Sequence, residues 1–173
     1  LLFSQSFSLK GQLWLSGLYG DDVPSEISSL ESHIGYIPTL SFFNDLDNSR
    51  FIDLEFSYQF NRMYSGNSLI LDNDNYYRYW IRYSTNKLEA RLGLQKIVFG
   101  PSQVLSSLSW FDSVDLQDPI EQVNGVEALR FRWYPSNSFS FWSWMINENN
   151  NISFGGRGEF STNIGEWGLS WHN

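Results

Sequence analysis

Arginine and carboxylate side chains that recur at every second position are the residues of this chain best suited to chemistry. Residues on one parity of a β-strand share one face of the sheet. These groups are therefore expected to line a single surface, where they can pair with one another or bind charged solutes. The residues predicted to form this surface are Lys10, Asp53, Glu55, Arg78, Arg82, Glu89, Arg91, Arg130, Arg132, Arg157, Glu159 and Glu166.

Other reactive groups are sparse in the sequence. Ser170 and His172 share a parity, but a hydrolytic triad also needs a third partner and an oxyanion hole. Asp72 and Asp74 lie in a stretch rich in Asp and Asn that lacks the Gly and the final Glu of an EF-hand loop. Cysteine is absent. We therefore expect no enzyme activity, no catalytic residues, no bound metal and no cofactor.

The elements that must position the charged residues are strands, because apolar and polar residues alternate along most of the chain. Both parities are apolar in 138–146, so the faces of that strand are not assigned. The predicted strands are roughly 8 to 12 residues long, which is the reach of a tilted membrane strand. The nine strands cover 6–19, 34–43, 51–61, 76–83, 88–95, 123–134, 138–146, 153–160 and 164–172.

Two hairpins share the tripeptide Ser-Thr-Asn, at 84–86 and at 161–163. Each is expected to turn on Thr and Asn as a two-residue loop, with Asn in the left-handed conformation. This geometry also fixes which residues face each other across the two hairpins. The predicted pairs are Arg82–Glu89, Trp80–Arg91, Tyr79–Leu92, Phe160–Gly165, Gly158–Trp167 and Phe154–Trp171.

The connections between strands alternate in length along the sequence. Short turns on one side and long loops on the other are typical of an outer-membrane barrel, with its turns in the periplasm. The pattern therefore predicts an all-β fold, an antiparallel up-and-down transmembrane β-barrel. The charged residues named above are then predicted to line its pore. The short connections are 44–50, 84–87, 135–137 and 161–163, and the long ones are 20–33, 64–75, 100–122 and 147–152.

Three charges, Arg62, Lys96 and Glu127, fall on the apolar parity, each towards the long-loop end of its strand. A charge that faces lipid costs least near the membrane interface, so their positions agree with the barrel. An odd number of strands leaves the last one running outward, whereas bacterial single-chain barrels have an even number. We therefore expect residues 1–173 to be a single segment of a larger barrel, truncated at both ends.

The longest connection, 100–122, has the features of a constriction loop. Ser102 is suited to cap a short helix, because apolar residues follow it at helical spacing. The loop either folds into the lumen and narrows it or packs outside on its neighbours. The residues predicted to face the lumen in the first case are Trp110, Asp112, Asp115 and Asp118.

A family resemblance is carried by residues 88–138. The pattern R-x-G-x-Q-x-I-x-x-G is matched by Arg91, Gly93, Gln95, Ile97 and Gly100; it is followed by Asp118-Pro119 and by a strand that opens near Gly125. In these features the chain resembles porin-like β-barrels of the Gram-negative outer membrane. The resemblance implies passive diffusion of small hydrophilic solutes through the barrel, without chemistry.

The expected partners are the lipid bilayer, lipopolysaccharide and small hydrophilic solutes, and the expected location is the bacterial outer membrane. A net charge of −8 argues against nucleic acid as a partner. Two alternatives remain open. The first is a soluble or surface-exposed β-sheet protein that binds carbohydrate, and the second is a structural outer-membrane barrel without transport. The solute, the pore radius and the oligomeric state are not predicted.

Overall fold

A computed structural model describes residues 4–22, 24, 28–47, 49–98, 125–148 and 150–173. Each strand pairs antiparallel with its neighbour in the chain, so the sheet runs in order from β1 to β9. The prediction of nine antiparallel strands in up-and-down order is therefore confirmed. The strands in the described residues are β1 (Gln5–Tyr19), β2 (Leu30–Asp47), β3 (Arg50–Ser65), β4 (Ser68–Thr85), β5 (Leu88–Gln95), β6 (Val126–Ser136), β7 (Phe139–Glu148), β8 (Asn151–Thr162) and β9 (Gly165–His172).

The sheet is open within the described residues, with β1 and β9 at its two edges. Closure into a barrel therefore stays a prediction. In the same part of the chain, no helix combines the length and the apolar character needed to cross a bilayer.

Alternation along the strands gives the sheet two chemically different faces. On one side, paired positions on adjacent strands bring Asp53, Arg82, Arg91 and Arg130 into one line, here called the charged row. We call this side the charged face and the opposite side the apolar face. One residue further along the strands, an apolar row crosses eight strands on the apolar face: Phe7, Phe42, Leu54, Ile81, Leu92, Leu129, Met145 and Phe154.

Burial of the two faces is the reverse of that in a water-soluble sheet, where the apolar side is buried. Arg78 and Arg130 on the charged face are each 7% exposed. On the apolar face, Ile81 is 48% exposed, Leu92 54% and Phe131 42%. The sheet therefore shields its charges and presents its apolar side chains.

The first four strands are longer than predicted, with 15 to 18 residues each. The predicted long loop at 64–75 is wrong, because β3 and β4 continue to a two-residue turn at 66–67. Arg62 pairs with Asp72 and Asp74 across this hairpin. Polar residues that were expected to form a loop therefore form a paired extension of the sheet.

The other predicted long connections fall into two groups. The predicted long connection at 147–152 is also wrong, because β7 continues to Glu148 and β8 begins at Asn151. β1 and β2 are separated by residues 20–29, and β5 and β6 by residues 96–125, and both intervals include positions outside the described residues. The predicted alternation of short and long connections therefore holds only in part.

Both Ser-Thr-Asn hairpins turn one residue later than predicted, which shifts the pairing register by two residues. The last pairs before the turns are Ser84 with Glu89 and Thr162 with Gly165. Neither Asn86 nor Asn163 has a positive φ, so the expected left-handed Asn is wrong as well. Because the shift is two residues, each side chain keeps its face. The six predicted pairs, Arg82–Glu89, Trp80–Arg91, Tyr79–Leu92, Phe160–Gly165, Gly158–Trp167 and Phe154–Trp171, are replaced by Arg82–Arg91, Trp80–Gly93, Tyr79–Leu94, Phe160–Trp167, Gly158–Leu169 and Gly156–Trp171.

The threonine hydroxyl explains the shift in both hairpins. The backbone N–H of Lys87 donates to Thr85 Oγ1 at 3.2 Å, and that of Ile164 donates to Thr162 Oγ1 at 3.4 Å. Such a bond from a hydroxyl to the backbone two residues on makes the threonine the first residue of the turn. The central residues are therefore Asn86-Lys87 and Asn163-Ile164.

Removing this hydroxyl is expected to weaken the turns. Thr162→Val removes the acceptor for the N–H of Ile164 and the donor to the carbonyl of Gly165 at 2.9 Å. We expect a loss of about 1 kcal/mol in the free energy of unfolding, measured by denaturant titration, because the turn groups become solvated instead. Thr162→Ser keeps the hydroxyl and is the control. Equal losses for Val and Ser at this position would show that the hydroxyl does not set the turn.

Tryptophans cover glycines across strands, but Trp167 does not lie opposite Gly158 as the predicted register requires. Trp167 instead stacks on Phe160, with ring centroids 6.4 Å apart. The indole of Trp144 lies where a Cβ of Gly155 would be. An aromatic ring over a cross-strand glycine replaces the side-chain packing that glycine lacks.

The faces of β7, which the sequence left unassigned, are set by its pairing with β6. Trp142 and Trp144 pair with Arg132 and Arg130 on the charged face. Trp144 also packs into a small buried cluster with Ile97, Ala128 and Ile146. Two aromatic residues that the sequence did not place are therefore part of the charged face.

Candidate functional site

Strand pairing places the twelve predicted lining residues on one face of the sheet. The structure therefore gathers them as the parity pattern implies, from Lys10 on β1 to Glu166 on β9. That this face lines a pore stays a prediction. The four predicted constriction-loop residues, Trp110, Asp112, Asp115 and Asp118, lie outside the described residues, as does the predicted helix.

The centre of the face is the charged row, in which three arginines are direct neighbours on adjacent strands. Arg82 pairs with Arg91, and Arg91 pairs with Arg130. Like charges directly opposite each other destabilise a sheet, so the row depends on carboxylates near it. This arrangement follows from the observed register of the hairpin, which pairs Arg82 with Arg91. The predicted register paired Arg82 with Glu89 instead.

Two carboxylates hold the row together. Arg82 binds Asp53 through two parallel hydrogen bonds, from Nε to Oδ1 at 2.8 Å and from Nη2 to Oδ2 at 2.6 Å. Glu89 lies two residues before Arg91 on β5. Its carboxylate accepts hydrogen bonds from Arg130 Nη2 at 2.9 Å and from Arg82 Nη1 at 3.5 Å. Arg91 Nη2 is 4.0 Å from Glu89 Oε1. One carboxylate is thus shared by three guanidinium groups.

Indole rings support the guanidinium groups of the row. Arg91 lies 4.2 Å from the centroid of Trp80, and Arg132 lies 3.6 Å from the centroid of Trp142. A cation over an indole face is attracted by the ring quadrupole and is held in orientation. Sequence reasoning missed Trp80 and Trp142 as functional residues. The sequence feature that could have indicated a role for Trp80 is its parity, which it shares with Arg78 and Arg82.

Gly93 makes room for this packing on β5. Its φ is +121°, and a Cβ at this position would clash with the carbonyl oxygen of Tyr79 and approach the Cα of Trp80. The backbones of β4 and β5 therefore meet closely beside the charged row, at a conformation that L-residues rarely adopt.

Gly93→Ala is expected to destabilise the protein by about 1–3 kcal/mol, because it imposes a strained backbone conformation and a steric clash. The free energy of unfolding in denaturant is the measurement. Gly17→Ala is the matched control, since it also lies in a strand and a Cβ there meets only the carbonyl of Glu31 at 3.8 Å. Equal effects of the two substitutions would contradict the close approach at Gly93.

A second charged cluster joins β7, β8 and β9. Arg157 Nε donates to Glu159 Oε1 at 2.6 Å, and Arg157 Nη1 donates to Ser170 Oγ at 2.8 Å. The hydroxyl of Ser140 donates to Glu159 Oε2 at 3.1 Å. The cluster borders a cavity of about 730 Å³ at the turn end of these strands, which Tyr134 also lines.

The residues considered for hydrolysis and for metal binding have other partners. His172 Nδ1 accepts from Trp144 Nε1 at 3.2 Å, and Ser170 bonds to Arg157. Asp72 and Asp74 lie in β4 and pair with Arg62 on the apolar face. In the described part of the chain, no group of three or more metal-ligating side chains is assembled.

Comparisons with protein-family models, with curated proteins and with solved structures find no match to this chain. The chemistry of the two faces is therefore the basis for a functional argument. The charged face offers guanidinium donors, carboxylate acceptors and indole rings along one continuous surface. Such a surface can hold or pass polar and charged solutes.

Proposed function

We propose that this chain is part of a porin-like β-barrel of the bacterial outer membrane, through which small hydrophilic solutes diffuse passively. The charged face lines the aqueous lumen in this proposal, and the apolar face contacts lipid. The barrel crosses the bilayer with its tilted strands and has lipopolysaccharide beside its outer loops.

The observation that carries the proposal is the exposed apolar row. It crosses eight strands. Five of its residues, among them Leu92 at 54%, are exposed, and Phe42, Leu54 and Leu129 are partly buried. Trp133 and Phe154 on the same face are each 50% exposed. Exposed apolar surface of this extent marks contact with a membrane or a partner. A band of outward apolar residues with polar residues inside is the pattern of transmembrane barrels.

Aromatic residues at the loop-side end of the apolar face support the same arrangement. Tyr76 makes edge contacts with Tyr58 at 5.3 Å and with Tyr79 at 5.6 Å between ring centroids. Tyr and Trp are enriched where a barrel meets the membrane interface. Arg62, with its partners Asp72 and Asp74, comes directly beyond this cluster, where charge near lipid costs least.

Extraction and transport measurements test the proposal in sequence. The full-length protein that contains this chain is expressed in a Gram-negative host, and its partition between membrane and aqueous fractions is measured with and without detergent. Purified protein is then reconstituted into liposomes, and swelling is followed in isosmotic solutions of neutral and charged sugars. We expect detergent-dependent extraction and swelling whose rate falls with solute size.

Each other outcome supports a different function. Recovery in the aqueous phase without detergent contradicts the barrel and favours a soluble or surface-exposed β-sheet protein that binds carbohydrate. Membrane extraction with no swelling for any solute contradicts transport and favours a structural barrel. An empty-liposome control and a second outer-membrane protein of known permeability set the range of the assay.

A further inference from the structure

We propose that Arg91, Arg130 and Arg132 form a binding site for a small oxyanion, a carboxylate or a phosphate, on the charged face. The proposal rests on the proposed function in one respect, namely that this face is open to water. It adds a specific ligand class to a surface that would otherwise only exclude or admit solutes by size.

The first argument is the local charge. Four arginines surround the site, and two carboxylates, Asp53 and Glu89, face them on the paired strands. Asp53 is occupied by its two bonds to Arg82. Glu89 is left as the carboxylate that serves the other guanidinium groups, so a net positive charge remains. The four arginines are Arg82, Arg91, Arg130 and Arg132.

The second argument is incomplete hydrogen bonding. Arg91 approaches Glu89 no closer than 4.0 Å, and Arg132 forms no ion pair with any residue that the structure describes. The Nε atoms of Arg91, Arg130 and Arg132 are buried without a hydrogen-bond partner in the described part of the chain. A buried polar group without a partner is unfavourable, and a buried charge is more so. A bound anion at the Nη atoms would offset the cost of the buried positive charge, while the shielded Nε atoms stay unpaired.

The third argument is burial and preorganisation. The side chain of Arg130 is 8% exposed and that of Arg91 is 16% exposed, so their charges are poorly screened by water. Trp80 and Trp142 fix the planes of Arg91 and Arg132. A ligand therefore meets guanidinium groups that are already oriented, which lowers the entropy lost on binding.

The chemistry of guanidinium selects the ligand class. Its N–H groups form a planar fork that matches the paired oxygens of carboxylate and phosphate and carries no acceptor. Because the Nε atoms are shielded, the anion is expected to contact the Nη atoms. Cations are disfavoured at this position, and halides lack the paired oxygens that the fork recognises.

The test measures oxyanion binding directly on the full chain, folded in detergent micelles, by isothermal titration calorimetry at constant ionic strength. Inorganic phosphate and acetate are the probes, and chloride is the reference ion. We expect saturable binding of at least one oxyanion. Arg91→Gln and Arg132→Gln should each weaken it by about tenfold or more, the loss expected for a charge-assisted hydrogen bond.

Arg157→Gln is the matched control, because it removes one positive charge from the same face but lies outside the site and pairs with Glu159. It should change the affinity by less than twofold. Glu89→Gln provides the opposite test, since it removes a competing carboxylate and should tighten oxyanion binding. If a variant fails to fold, the preference of the parent chain for phosphate or acetate over chloride still decides the question.

The outcomes are separable from those of the proposed function. Equal weakening by Arg157→Gln, no preference over chloride, or no saturable binding would overturn the oxyanion site even if liposomes swell. Specific binding with the expected order of variants, but without swelling, supports the site and contradicts the pore. The ratio of the affinities for phosphate and acetate shows which oxyanion the site prefers.

Discussion

Leu92→Arg is expected to destabilise the folded chain in a bilayer by about 2–4 kcal/mol, the cost of a cationic side chain near the lipid midplane of a barrel. Leu92 lies at the centre of the apolar row, paired with Ile81 on one side and Leu129 on the other. In water the same substitution at a half-exposed position usually changes stability by about 0.5 kcal/mol or less. The two readings of the apolar face therefore predict different sizes of effect.

The measurement is the free energy of unfolding in denaturant, with the protein folded into phospholipid vesicles. Leu88→Arg tests the dependence on depth, because Leu88 is on the same face but at the turn end of β5. Its cost should be lower, since the penalty falls towards the interface. Ile164→Arg is the control, because Ile164 lies in a turn and is 86% exposed. If all three substitutions cost the same, the apolar face does not contact lipid.

The faces of the sheet could be predicted from the sequence, whereas the register could not. Alternation specifies which side each residue takes, and a slip of two residues leaves that assignment intact. Arg82 and Arg91 were therefore placed on the correct face with the wrong neighbour. The hydroxyl of Thr85 decides the register. It accepts hydrogen bonds from the N–H groups of Lys87 and Leu88, which places the turn one position later than the predicted Thr85-Asn86 loop.

The length of β3 and β4 was underestimated for a different reason. The run Asp72-Asn73-Asp74-Asn75 has the composition of a loop, since Asp and Asn are depleted in strands. Arg62, three positions before the end of β3, pairs with both aspartates and makes a paired strand favourable there. This pairing is long-range in sequence, so local composition does not reveal it.

The unassigned faces of β7 show how the site depends on tertiary pairing. Apolar residues occupy both parities of β7, so the sequence pattern does not show which face Trp142 and Trp144 take. Their position became clear only from their partners Arg132 and Arg130 on β6. Arg132 is one of the three residues of the proposed oxyanion site. The stacking of its guanidinium group on Trp142 could therefore not be predicted from the sequence.

Glu89→Gln is expected to have the largest effect on the charged face. The carboxylate is 13% exposed and bonds to Arg130 at 2.9 Å and Arg82 at 3.5 Å. Removing one partner of a buried ion pair typically costs about 3–5 kcal/mol, because it leaves a buried charge uncompensated. Here Arg91 and Arg130 would face each other without the carboxylate that they share. We expect a loss of this order in the free energy of unfolding.

Glu159→Gln is the matched control, because Glu159 also bonds to one arginine of the charged face, at 2.6 Å. Its side chain is 37% exposed, and more exposed ion pairs are worth about 1 kcal/mol or less. The double variant Glu89→Gln with Arg130→Met should recover part of the loss, since it removes one of the uncompensated charges.

The size of the Glu89 effect also reports how wet the charged face is. Where water reaches the arginines freely, it hydrates them once the carboxylate is gone, and Glu89→Gln then costs no more than Glu159→Gln. Where the row is shielded, as the 8% exposure of the Arg130 side chain indicates, the full loss is expected. Phosphate should then stabilise Glu89→Gln more than the parent chain, because a ligand that binds only the folded state adds to its stability. Equal stabilisation of both proteins would contradict a role for Glu89 in limiting the charge of the row.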